Sequence, residues 1–145
     1  PLIINDRLDI AMAVGAAGVH LGQDDLPCAA ACKLLGEDYL IGVSAHNPAE
    51  AKAALQSGAD YLGCGAVFGT ATKADVKKLG TEGLMAICRE KGLPVVGIGG
   101  VTADNYREVR AAGADGAAIV SGILAQPDIS ATVRAIAKVS QEFAK

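Results

Sequence analysis

The sequence predicts a parallel α/β fold wound as a (β/α) barrel of TIM type, with six of its eight βα units in one domain spanning residues 1–145. Three observations predict it. Short apolar, glycine-punctuated runs alternate strictly with helix-forming segments, which calls for parallel strands joined by right-handed crossovers. A helix-ending glycine and tight turn recurs before three strands, at Gly15-Ala16-Ala17-Gly18, Gly58-Ala59-Asp60-Tyr61 and Gly113-Ala114-Asp115-Gly116. The last two strand ends carry Gly99-Gly100 and Ser121-Gly122, small residues of the kind that build a barrel's phosphate site. The Gly-x-Gly-x-x-Gly turn of a doubly wound sheet does not follow the first strand.

The elements follow in order. Leu2–Ile4 is an apolar burst ending at Asn5-Asp6, and Arg7–Val14 is a short helix closed by Gly15. The second strand is 18–22, ending at Gln23-Asp24-Asp25. Pro27 opens the next helix, which runs through Leu35 to Gly36. Tyr39–Val43 is the third strand and ends at Ser44. Asn47-Pro48-Ala49-Glu50 then combines an N-cap Asn, a Pro at the first helical position and a Glu two residues on. The fourth strand, Tyr61–Val67, leads into Phe68-Gly69-Thr70-Ala71-Thr72-Lys73. The stretch from Lys73 to Gly80 is basic and is expected to be exposed and mobile. Helix Thr81–Lys91, strand 94–98, helix Thr102–Ala112, strand 116–120 and helix Ile129–Phe143 complete the chain. The chain opens on Pro1 directly before a strand, so the reading expects it to begin within the domain, the barrel's first two units being absent or supplied by another chain.

Composition narrows the function. With 13 Lys and Arg against 16 Asp and Glu, the net charge is −3, which gives no reason to expect nucleic acid or an anionic membrane as partner. Trp is absent, and two Phe and three Tyr offer few stacking platforms for single strands. No apolar run reaches the ~18–20 residues of a membrane span, and no signal peptide opens the chain. Cys28, Cys32, Cys64 and Cys88 have neither Cys-x-x-Cys spacing nor a histidine at ligand distance, so they read as small buried hydrophobes in a reducing, cytoplasmic setting. Small-molecule substrates are the expected partners, and a homo-oligomer is left open.

Thr70, Thr72 and Lys73 gather hydroxyls and an ammonium at a strand's C-terminal end, where an oxyanion or phosphate can be cradled. In a parallel fold all such ends share one face, so Asn5, Asp6, Asp25, Ser44, Gly100 and Ser121 belong with them. Several have plainer readings: Asp6 and Asp24 stand where they could cap helices, and Ser44 could merely begin a turn. His20, inside a strand, reads as a hydrogen-bonded barrel residue, whereas His46 lies at a strand end beside Ser44.

Read in order, 3–7 (Ile-Ile-Asn-Asp-Arg), 18–25 (Gly-Val-His-Leu-Gly-Gln-Asp-Asp), 42–46 (Gly-Val-Ser-Ala-His), Thr70-Ala71-Thr72-Lys73, 97–101 (Gly-Ile-Gly-Gly-Val) and 118–121 (Ala-Ile-Val-Ser) resemble the thiamine-phosphate synthase family. That family joins hydroxymethylpyrimidine diphosphate to thiazole phosphate and releases pyrophosphate. The resemblance implies a Mg²⁺-dependent transferase of thiamine biosynthesis, with Asp6 and Asp25 as metal ligands. It implies Asn5, Ser44 and Lys73 on the diphosphate, Ser44 and Lys73 acting in catalysis. Thr70 and Thr72 would line the thiazole site, and Gly100, Val120 and Ser121 would supply donors to its phosphate. Two alternatives stand beside it: a metal-independent isomerase resembling the thiazole tautomerases, using His46, and a phosphate-binding piece without catalysis. The sequence departs from the family in two ways. It has no counterpart of the Gln-x-Arg-x-Lys diphosphate clamp, and Gly69 stands where many relatives have Pro.

Overall fold

A computed structural model describes residues 1–69, 78–90 and 92–144. Six parallel strands form one sheet in chain order: β1 (Ile3–Asn5), β2 (Gly18–Leu21), β3 (Leu40–Ala45), β4 (Tyr61–Cys64), β5 (Val95–Ile98) and β6 (Gly116–Ala118). Between and after them run α1 (Leu8–Ala13), α2 (Cys28–Leu35), α3 (Pro48–Gln56), α4 (Gly80–Arg89), α5 (Tyr106–Ala111), α6 (Ser121–Leu124) and α7 (Ile129–Glu142). The strand order never reverses, so the sheet has no switch point of the doubly wound kind.

Side chains alternate across each strand. Val19, Leu21, Ile41, Val43, Leu62, Cys64 and Val95 point to one face and are buried with Ala11, Ala31, Leu35, Ala54, Leu84, Ile87 and Val109 of the helices. Fully burying a Val, Leu or Ile side chain stabilises the fold by about 1.5–3 kcal/mol. The opposite face carries Asn5, His20, Ser44, Tyr61, Val96 and Ile98, none of them fully buried. One face therefore holds the core and the other is left for function.

The recurring turns have a mechanical role. Gly58 and Gly113 follow α3 and α5, and the aspartates two residues on pin the starts of neighbouring strands. Asp60 donates its backbone N–H to the Ile41 carbonyl (2.8 Å) and accepts the Ile41 N–H on Oδ2 (2.7 Å). Asp115 repeats both bonds with Val95, at 2.7 and 2.8 Å. In the first copy Ala17 keeps only the backbone bond, to the Leu2 carbonyl. Asp60→Ala leaves the N–H of buried Ile41 without its carboxylate, so the urea midpoint should fall by an amount equivalent to about 1–3 kcal/mol. An unchanged midpoint would show that the turn contributes nothing beyond its backbone bonds.

The N-terminus of α3 matches its sequence signature. Asn47 caps it, its side chain accepting the Glu50 N–H at 2.9 Å, with Pro48 at the first helical position. Other boundaries differ. Pro27, not Asp24, is the N-cap of α2, because Asp25 closes the preceding turn by accepting the Gly22 N–H (2.7 Å). Arg7, not Asp6, is the N-cap of α1. β4 ends at Cys64, not Val67, since the next residues bond to the end of β5 without extending the ladder: Val67 N–H to Ile98 O, Phe68 N–H to Gly99 O. α5 begins at Tyr106, not Thr102, because Asn105 accepts the Thr102 N–H and closes a turn over 102–105. β6 stops at Ala118, and Ser121 opens a short helix that periodicity did not signal. Residues 73–77 of the basic stretch, and Lys91, lie outside the described residues. No described helix is long and apolar enough to cross a membrane.

Candidate active site

A cavity of about 420 Å³ opens on the face away from the helices, within the ~300–1,000 Å³ usual for small-molecule sites. Strand register builds it. Asn5, His20, Gly42 and Tyr61 lie side by side across β1 to β4, and Ser44, Gly63 and Val96 form the next level across β3 to β5. Paired residues of a parallel ladder share a face, so these side chains converge. Asn5, Ser44, Gly100, Val120 and Ser121 all line the cavity, as do His20, His46 and Tyr61.

At its floor, His20 Nδ1 lies 3.1 Å from the Tyr61 hydroxyl and Nε2 lies 3.0 Å from Ser44 Oγ. Burial pushes the His20 imidazole below its ordinary value, outweighing the opposing pull of the Asp25 carboxylate. The expectation that His20 is hydrogen-bonded within a strand is met. Gln23 Nε2 donates to the Ser44 carbonyl, fixing the end of β3 from the loop after β2. On the rim, His46 Nδ1 lies 2.9 Å from Glu50 Oε2. Partial burial opposes the Glu50 charge, but the His46 N–H and the side chains of His46 and Asn47 hold its carboxyl below the usual range.

Asp6 follows β1 directly and is the one described non-glycine residue with positive φ, 61°. Its N–H donates to the His20 carbonyl at 2.8 Å, which turns the chain at this strand end. Asp25 lies in the loop after the adjacent strand β2 and lines a smaller cleft of about 200 Å³. Among the described residues no group of three or more His, Cys, Asp or Glu side chains could hold a metal. Two carboxylates at neighbouring strand ends nevertheless suit Mg²⁺, which takes one or two protein carboxylates and completes its shell with substrate phosphate oxygens and water.

After β5, Gly100 has φ +66°, and a Cβ there would stand 2.3 Å from the Gly69 carbonyl oxygen. The backbone therefore runs close at this rim, and Asn105 holds it by donating Nδ2–H to the Gly100 carbonyl (3.0 Å). Thr70, Thr72 and Lys73 lie outside the described residues. Sequence reasoning left Tyr61 among the strand apolars and did not single out Gly42 or Gly63 beneath His20. The spacing of His20, Gly42, Ser44, Tyr61 and Gly63 on alternate strand positions was the available signal.

The family model described as thiamine monophosphate synthase matches residues 1–123. The thiamine-phosphate synthase of Ruminiclostridium cellulolyticum is 50% identical over 139 residues, which are 96% of this chain and 66% of that protein. The thiamine-phosphate synthase of Chloroflexus aurantiacus is 50% identical, over 99% of this chain and 68% of its own length. The chain thus spans about two thirds of the curated relatives it matches, 66% and 68% here. Thiamine phosphate pyrophosphorylase from Pyrococcus furiosus superposes with a TM-score of 0.90 at 38% identity, covering 99% of this chain and 68% of that one. A 3-hexulose-6-phosphate synthase, at TM-score 0.72 and 22% identity, shares the fold alone. The strand order, the motifs at the strand ends and these matches agree: the chain belongs to the thiamine monophosphate synthase family.

Proposed function

We propose that this chain carries the catalytic face of a thiamine-phosphate synthase, a transferase joining hydroxymethylpyrimidine diphosphate to thiazole phosphate with release of pyrophosphate. The observation that carries the reading is the convergence of Asn5, Ser44, Gly100, Val120 and Ser121 on one cavity at the strand ends. Asn5, Ser44 and Lys73 hold the diphosphate, and Gly100, Val120 and Ser121 hold the thiazole phosphate. Thr70 and Thr72 line the thiazole site. Asp6 and Asp25 are the residues that would hold Mg²⁺, which supplies positive charge against the phosphate oxygens.

In the reaction the bond from the pyrimidine methylene carbon to the diphosphate oxygen breaks, and the departing pyrophosphate keeps the electron pair. The thiazole nitrogen supplies the pair for the new carbon–nitrogen bond, so no side chain need remove a proton. Lys73 and Ser44 serve as donors to the charge that develops on pyrophosphate. Val101 and Ile119 give the cavity apolar walls, which suits an electron-poor carbon that water would otherwise capture.

We read the six units as consecutive units of an eight-unit barrel. The unreversed strand order supports this, as do the edges of the sheet at β1 and β6, unpaired among the described residues. A second reading has one observation in its favour. The His46–Glu50 pair at the rim could move a proton, as an isomerase would require.

Mixing the purified chain with both substrates and Mg²⁺ tests these readings. The expected result is one pyrophosphate released per thiamine phosphate formed, abolished by EDTA. Conversion of a thiazole phosphate isomer without the pyrimidine, insensitive to EDTA and lost in His46→Ala, would replace the synthase by an isomerase. Phosphate binding without either reaction would leave only a binding role.

A further inference from the structure

We propose that His20 is a positioning residue: a hydrogen-bond relay from Tyr61 through His20 to Ser44 sets the Ser44 hydroxyl as a donor toward an anionic oxygen in the cavity. The proposal rests on reading Ser44 as a contact of the diphosphate.

The direction of the relay follows from counting protons. A neutral imidazole carries one N–H, so it can donate to Ser44 or to Tyr61 but not to both. Among the described residues the Tyr61 hydroxyl has one hydrogen-bond contact, His20 Nδ1 at 3.1 Å. A half-buried phenol O–H needs an acceptor, and burial pushes the Tyr61 pKa up, so the phenol keeps its proton. Tyr61 then donates to Nδ1, the ring proton sits on Nε2, and Nε2–H donates to Ser44 Oγ at 3.0 Å. With its oxygen accepting from His20, Ser44 turns its own O–H outward to the cavity it lines. A protonated imidazole would donate to Ser44 all the same. Only the neutral Nδ1–H tautomer reverses the arrangement, making Ser44 a donor to His20 and an acceptor toward the cavity.

The ring is also held sideways. A Cβ on Gly42 would stand 2.1 Å from Tyr61 Cζ and 2.5 Å from His20 Nδ1, and one on Gly63 would stand 2.7 Å from His20 Cε1. Imidazole and phenol therefore occupy the room that two glycines on β3 and β4 leave open, with ring centroids 5.5 Å apart. A glycine-floored slot for a polar pair is not what an apolar barrel layer requires; it lets one serine be oriented from below.

Two measurements on the full chain test the relay. In ¹⁵N-labelled protein, long-range imidazole correlations should show the His20 proton on Nε2, and a proton confined to Nδ1 would overturn the proposal. Calorimetric titration with inorganic pyrophosphate and Mg²⁺ should show Ser44→Ala weakening binding about 10-fold, the loss of one hydrogen bond to a charged group. His20→Asn, too short to reach Ser44, should match that loss, and the double variant should be no weaker than Ser44→Ala. His20→Gln places an amide N–H near the Nε2 position and should restore most of the affinity. An unchanged His20→Asn, or losses that multiply in the double variant, would overturn the relay. If His20→Asn does not fold, the tautomer and His20→Gln decide. Wild-type protein that binds no pyrophosphate would also overturn it. Turnover, measured separately, isolates the synthase reading: the binding pattern without thiamine phosphate formation removes that reading and leaves the relay.

Discussion

Gly100→Ala should raise the KM for the thiazole phosphate by about 10–100-fold, the loss of one or two hydrogen bonds to a charged oxygen, while moving the KM for the pyrimidine diphosphate much less. At φ +66° an L side chain is strained, and the new Cβ would stand 2.3 Å from the Gly69 carbonyl and 3.0 Å from Phe68 Cβ. Neither neighbour yields easily. Val67 and Phe68 are zipped to the end of β5 by their N–H bonds to Ile98 and Gly99. The methyl group must therefore spread the two strand ends apart, shifting the backbone N–H of Gly100 together with Phe68 and Gly69. Stability should fall as well, by about 1–2 kcal/mol for the left-handed conformation alone. Gly15→Ala separates the two effects. Gly15 has φ +63° but nothing within 4 Å of its virtual Cβ, and it does not line the cavity. That variant should lose similar stability and keep both KM values. If Gly100→Ala behaved like Gly15→Ala, the thiazole phosphate would bind elsewhere.

The contrast between these two glycines shows what a sequence can and cannot reveal about this fold. Helix-ending glycines announce themselves locally, since each follows a run of helix formers and precedes an apolar strand; Gly15, Gly58 and Gly113 were legible for that reason. The Asn47-Pro48-Ala49-Glu50 start was legible too, because every partner of the capping box lies within four residues. What escaped depends on contacts far apart in the chain. β4 stops at Cys64 because its continuation meets the end of β5, more than thirty residues later. The slot under His20 needs Gly42 and Gly63 from two other strands. Asp24 looked like a cap because it stands at a helix start shortly before Pro27, yet Asp25 takes the turn by accepting from Gly22. The motifs at the strand ends could be listed from the sequence; the meeting of Asn5, Ser44, Gly100, Val120 and Ser121 in one cavity required the register.

Asp6→Asn should lower synthase turnover by about 10²–10³-fold, the equivalent of the several kcal/mol that a metal ion contributes to stabilising developing negative charge, without weakening the fold. The stability half of that expectation comes from one backbone fact. Asp6 holds φ 61° at the end of β1, its N–H bonded to the His20 carbonyl. Left-handed geometry costs most residues about 1–2 kcal/mol, and Asn tolerates it at least as well as Asp. The left-handed turn tolerates the exchange, while the carboxylate charge is lost. Thermal unfolding of Asp6→Asn should accordingly match or slightly exceed that of the parent chain. Asp6→Ala, with no short polar side chain to support the turn, should unfold at lower temperature. If the residue holds Mg²⁺, the Asn variant should also need a higher concentration of the ion for half-maximal rate. Asp25→Asn should move that concentration in the same direction, since the two residues lie in the loops that follow the adjacent strands β1 and β2. Stable Asp6→Asn protein with parental turnover and parental Mg²⁺ dependence would remove the metal from this strand end. The positive φ would then belong to the turn alone.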